Sequence, residues 1–248
     1  MDLGIAGRRA VVAAGSAGLG LATAQALVDE GVLVAICGRD PERLAAAVAA
    51  LGDGAVGIEA DLAEPGVAAA FAAEAEERLG GTIDIAVANA GGPPPGLPST
   101  TTPDAYRAAL ELNFVSTVEL AQAVVGPMRA QGWGRILAIT SIGARQPIAE
   151  LAASTSARAA VTAFVKNLAT EVAADGVTAN TIQPGLHLTD RVRQLGHGSA
   201  AAVEAVPARR LGDAADFGAV AAFLCSEAAN YVCGASLIVD GGASRGLQ

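Results

Sequence analysis

The sequence predicts an α/β protein: a doubly wound parallel sheet of about seven strands, in a single domain over residues 1–248. Three observations carry that expectation. Short apolar runs alternate with longer helical stretches from one end to the other, the pattern of βαβ units. The short runs are apolar on both faces, as strands between two helix layers must be. No shift in composition marks a domain boundary, and 248 residues suffice for one sizeable core.

The elements follow in order. Residues 10–14 read as a buried strand and 18–30 as a helix. The next strand is 32–37. Asp40-Pro41-Glu42 then starts a helix with an N-cap, a proline at the first position and an acid in the first turn. It runs to about Leu51. Strand three is 55–60, followed by a helix over 64–79. Strand four is 83–88. A long helical stretch, 102–129, opens on Thr-Pro-Asp. Strand five is 135–140, the next helix 154–174, strand six 177–182 and the last strand 236–239. Two segments are irregular. Residues 91–98 hold three consecutive prolines, which favour stiff extended backbone. Residues 184–207 are long for a connection, so short helices or a lid are expected there.

Composition excludes several classes. Hydrophobic residues at 52% against 17% charged exclude disorder, and aromatics at 3% leave the core to Ala, Val, Leu and Ile. A net charge of -9 argues against nucleic acid and against an anionic membrane surface as partners. Cys37, Cys225 and Cys233 form no CxxC pair, and with two histidines they give no zinc spacing, so no metal is expected. Three cysteines make no disulfide framework, which points to a reducing cytoplasm. Arg8 and Arg9 before the uncharged run 10–28 resemble a signal peptide. Gly15, Gly18 and Gly20 with Ser16, Thr23 and Gln25 favour strand, turn and helix instead.

The first strand-to-helix turn reads AAGSAGLG over 13–20. Glycines there let backbone approach a pyrophosphate at a helix N-terminus. Further landmarks follow: Asp61, Asn89-Ala90-Gly91, Asn113, Ser141, Pro184-Gly185 and Asp240-Gly241-Gly242. In this order and over the full length they resemble the short-chain dehydrogenase/reductase family, most like its 3-oxoacyl-acyl-carrier-protein reductases. The resemblance implies a Rossmann-type fold, a nicotinamide cofactor, hydride transfer between a carbonyl and an alcohol of a small-molecule substrate, and a homotetramer. Its cofactor set maps onto Gly15, Ser16, Gly18, Leu19 and Gly20 in the turn, then Arg39, Asp61, Leu62, Asn89, Ala90, Gly91, Pro184, Gly185 and Thr189. Arg39 stands where NADPH-using relatives carry arginine, so NADP(H) is favoured over NAD(H). Asp61 has two readings, an adenine contact and a capping box with Glu64.

The departures matter as much. Ala13 and Ala14 replace the family's Thr and first Gly. Ala14 is tolerable at negative φ and strained at positive φ. Of the family's Asn-Ser-Tyr-Lys tetrad, Asn113 and Ser141 match, while Ser154 stands in the Tyr slot and Arg158 in the Lys slot. The stretch FVKNLA at 164–169 fixes that register and leaves Lys166 eight residues beyond the Lys slot. Tyr106 and Tyr231 match structural aromatic positions. The pattern resembles a divergent branch in which NAGGPPPG and a Ser-x-x-x-Arg helix occur together. A serine is a far weaker acid than a lysine-tuned phenol. Ser154 and Arg158 share a helical face. They either act together on ligand, or merely cap the helix and meet solvent. His187 is a candidate proton donor or a plain loop histidine. Arg191 and Arg193 either meet an anionic substrate or are solvated, and His197 has no supporting context. Three functions are consistent with this: a reductase with weak ketone reduction, a non-redox enzyme (dehydratase, isomerase or aldolase-type), and a non-catalytic cofactor-binding subunit.

Overall fold

The computed structural model of the protein describes residues 2–194 and 198–246. Its chain runs β1 (Arg9–Val12), α1 (Gly18–Asp29), β2 (Leu33–Gly38), α2 (Pro41–Leu51), β3 (Ala55–Glu59), α3 (Val67–Leu79) and β4 (Ile85–Ala88). It continues α4 (Pro103–Leu110), α5 (Ser116–Gln131), β5 (Gly134–Ile139), α6 (Ala152–Val172), β6 (Val177–Pro184), α7 (Asp190–Gln194), α8 (Ala200–Ala205), α9 (Ala214–Leu224) and β7 (Ser236–Val239).

The seven strands form one sheet in the order β3-β2-β1-β4-β5-β6-β7, and every ladder is parallel. Alternate residues of each strand feed two cores, because successive side chains point to opposite faces. Val11, Ala86 and Ala138 meet Phe71 of α3, Leu120 and Met128 of α5, and Val165 of α6. Val12, Val87 and Ile139 meet Leu27 of α1, Leu44 of α2, and Phe217 and Leu224 of α9. Parallel strands buried on both sides explain the unbroken apolar runs.

Local signals hold where they are local. The Asp40 carboxylate accepts from Arg43 N–H at 3.0 Å, with Pro41 at the first helical position. Thr102 caps α4 by accepting from Ala105 N–H at 3.2 Å. The expected helix over 102–129 is corrected: a π-helical turn, Glu111–Val115, separates α4 from α5. This 103–131 run is long and apolar enough to cross a membrane by length and composition. Its inner face, Leu120, Ala121, Val124 and Met128, packs in the core. The capping box is also corrected. Pro65-Gly66 delays α3 to Val67, with Gly66 at φ 81°, and Asp61 accepts instead from Ala63 N–H at 3.0 Å. The irregular 184–207 stretch holds α7 and α8.

Candidate active site

The strand order reverses direction between β1 and β4. Loops leaving their carboxyl ends part there and open a crevice, where ligands of doubly wound sheets bind. The glycine turn floors it. Gly20 must be glycine: a Cβ would stand 2.6 Å from Ala14 O and 2.7 Å from Asn89 Nδ2. Asn89 Nδ2 donates to Ala14 O at 3.2 Å, tying the end of β4 to the turn. Ala17, the N-cap of α1, makes no side-chain cap bond, which leaves the first N–H groups of α1 without a capping side chain, as an anion cradle would require. Ser16 packs against Gly38, and the Thr189 methyl lies 3.8 Å from where a Gly18 Cβ would stand. Leu19 is half-buried and Leu62 buried in the core. Asn89 and Ala90 are half-buried and Gly91 is exposed. Arg39 lies at the end of this row, its side chain 73% exposed and 3.7 Å from the Asp61 carboxylate. These residues fit a dinucleotide: a close-approach turn, open helix N–H groups and a guanidinium at the ribose end.

Ala14 adopts φ 45°, in the left-handed region. Its Cβ destabilises this conformation by about 1–2 kcal/mol. A glycine would remove that strain while losing roughly 0.4–1 kcal/mol through a freer unfolded chain. Ala14→Gly therefore raises stability by roughly 0.5–1 kcal/mol, a rise in Tm of roughly 1–4 °C in thermal unfolding.

A cavity of about 690 Å³ opens at the carboxyl ends of β5 and β6. Ser141, Ser154, Arg158, Pro184 and Gly185 all line it. Ser141 follows β5 and caps a short 3-10 turn: its Oγ accepts from Gly143 N–H at 3.0 Å, which leaves its own proton to donate. Ser154 sits in the first turn of α6, and its Oγ accepts from Arg158 Nε at 3.4 Å. Arg158 is buried. Its Nη1 donates to Ile139 O and Thr140 O, each at 2.9 Å, and its Nη2 to Ala90 O at 3.3 Å. Of the two readings of Arg158, the solvated one does not hold: the guanidinium clasps the ends of β4 and β5.

Asn113 lies buried in the π-helical turn, outside the cavity lining. Its Nδ2 donates to Ala109 O at 3.1 Å, and its Oδ1 has no partner among the described residues. His187, the candidate proton donor, lies buried. It is 4% exposed, stacks edge-on with Phe217 at 5.1 Å, holds Gly185 O at 3.2 Å and does not line the cavity. Burial pushes its pKa down, so the ring stays neutral. Burial likewise pushes the Cys37 thiol up to about 12, which leaves it unreactive. Tyr106 packs against α6 as a structural aromatic, whereas Tyr231 is 99% exposed. Arg193 pairs with Asp190 at 2.8 Å. The Arg191 side chain and His197 lie outside the described residues.

Sequence reasoning missed Gln146 and Arg245, which share the cavity wall although 99 residues apart. It also missed Gln183 of β6, fully buried with neither amide atom bonded among the described residues. Only the Asp240-Gly241-Gly242 landmark hinted that the segment after β7 reaches the site.

Such a sheet, with this turn and this cavity, defines a nucleotide-binding protein of the Rossmann type. The chain belongs to the short-chain dehydrogenase/reductase family: residues 13–244 match its model described as enoyl-(acyl carrier protein) reductase. It is 33% identical over 241 residues to the 3-oxoacyl-[acyl-carrier-protein] reductase of Vibrio cholerae, covering 97% of this chain and 98% of that one. Dehydrogenase/reductase SDR family member 4 of Oryctolagus cuniculus is 32% identical, covering 98% and 96%. Among solved structures, L-sorbose reductase from Gluconobacter frateurii, complexed with NADPH and L-sorbose, superposes with a TM-score of 0.92 at 33% identity over both whole chains. A short-chain oxidoreductase of Pseudomonas aeruginosa, described as containing an atypical catalytic center, gives 0.90 at 32% identity, again over both whole chains.

Proposed function

We propose that the protein is an NADP(H)-dependent reductase of small-molecule carbonyl compounds with an altered tetrad, Ser154 and Arg158 standing for the family's Tyr and Lys. The observation that carries this reading is the convergence of Ser141, Ser154 and Arg158 on one cavity beside the dinucleotide crevice. Bound NADPH would supply the hydride. Ser141 and Ser154 each have a hydroxyl proton to point at a carbonyl oxygen, and the Arg158 charge lies beneath Ser154 and favours negative charge developing there. Neither serine is an acid matched to the task. The missing general acid lowers the rate by about 10²–10⁴, so ketone reduction is slow. The Pseudomonas aeruginosa relative with its atypical center supports the reading. Exposed Tyr231 and Phe223 leave apolar groups for a second copy, which supports self-association, the homotetramer being what the family resemblance implies. Three free cysteines support a cytoplasmic location.

Arg39 selects the cofactor. It is exposed and among the described residues pairs only with Asp61, so its guanidinium is available to a 2′-phosphate. Arg39→Ala weakens NADPH binding at least about tenfold and leaves NADH binding unchanged, read by fluorescence titration. Equal loss for both cofactors would assign Arg39 to the fold. The test of function is NADPH oxidation with a panel of β-keto esters and quinones. Turnover supports reduction; binding without turnover favours a non-redox or non-catalytic role.

A further inference from the structure

The cavity has a polarity that the tetrad does not explain. Ser141, Ser154 and Arg158 line it, where a reacting carbonyl would sit. Its body is apolar, with Ile148, Leu186 and Val206 among its walls. The lining also includes Gln146 and Arg245, and no lining residue is acidic among the described residues. That is unusual placement in a chain of net charge -9.

Arg245 reaches the lining because the segment after β7 is held in shape. The Asp240 carboxylate accepts from Gly242 N–H at 2.8 Å and from Ser244 N–H at 2.7 Å. Gly185 lets the segment press close to β6, since a Cβ there would stand 2.6 Å from Asp240 Cβ. Arg245 N–H then donates to Gln146 Oε1 at 3.1 Å. With its Oε1 so engaged, the Gln146 amide has its Nε2 protons to offer, and the Arg245 side chain makes no ion pair among the described residues. A guanidinium fork beside an amide N–H₂ matches a carboxylate in geometry and charge.

We propose that Arg245, with Gln146, determines substrate specificity, and that the substrate is a keto acid: a reducible carbonyl and a carboxylate joined by an apolar skeleton. This deepens the reductase reading and rests on it for the carbonyl. A cavity of about 690 Å³ accommodates such a medium-chain molecule. Arg245 acts on binding rather than on the hydride step, so its loss raises KM and leaves kcat in place.

The test uses NADPH-loaded protein, a medium-chain γ-keto acid and the primary amide of the same skeleton, by isothermal titration and by NADPH oxidation. The acid should bind about tenfold more tightly than the amide to the wild type. Arg245→Ala should abolish most of that preference without changing NADPH affinity, Arg245→Lys should keep part of it, and Arg245→Glu should invert it. Equal binding of acid and amide, binding of neither, or an equal loss of both in Arg245→Ala would overturn the proposal. Discrimination in binding without turnover would instead overturn the reductase reading and leave the carboxylate site standing. Turnover without discrimination would do the reverse.

Discussion

Arg158→Met lowers the stability of the protein by about 3 kcal/mol in urea unfolding, which is roughly 6–12 °C in Tm. Arg158 joins three backbone carbonyls, Ile139 O, Thr140 O and Ala90 O, at the ends of two central strands. Methionine fills the space of the stem and offers no donor. Each buried acceptor left unpaired destabilises by about 1–3 kcal/mol, and neighbouring losses overlap. Arg158→Lys should fall between methionine and wild type, because a compact ammonium reaches fewer of these oxygens than a planar fork. A wild-type stability in Arg158→Met would mean that the carbonyls find other partners and that the clasp has no structural weight.

The double change Ser154→Tyr with Arg158→Lys raises the rate of β-keto ester reduction by about tenfold to a hundredfold. It restores an acid of ordinary pKa near 10 beside a charge that lowers it. The cavity has room for the ring, since Ser154 lines a space of about 690 Å³. Each single change should do less, because phenol and ammonium act as one unit. The gain stays below that of a full general acid, because Arg158 clasps β4 and β5 here and the surrounding shell is shaped for it. Activity should rise while stability falls. A double variant no faster than the wild type would mean that proton delivery does not limit the rate.

The parts of this molecule that were legible in its sequence are those set by neighbours along the chain. The last strand, Ser236–Val239, and the Asp40 cap needed only local pattern. The strand start at 83–84 did not follow: the Asp84 carboxylate accepts from the Arg8 guanidinium and from Arg9 N–H, and the ladder begins at Ile85. The π-helical turn at Asn113 is invisible to a helical periodicity that passes through it. For the site, sequence order placed Ser141, Ser154 and Arg158 together. It was silent on where side chains turn. Arg158 turns inward to carbonyls and His187 turns toward Phe217, because both answer to strands and helices remote in sequence. The φ of Ala14 is likewise set by Asn89 and Cys37, which hold its carbonyl and its N–H.

The central claim is that carbonyl reduction occurs at the Ser141 end of the cavity. Its most direct measurement is NADPH oxidation by the Ser141→Ala variant against the wild type, at matched cofactor saturation. Ser141 offers a preorganised donor to the carbonyl oxygen, so the account predicts a fall in kcat of about 10²-fold with NADPH affinity unchanged. Robust wild-type turnover that Ser141→Ala leaves intact would contradict it and move the chemistry to another wall of the protein.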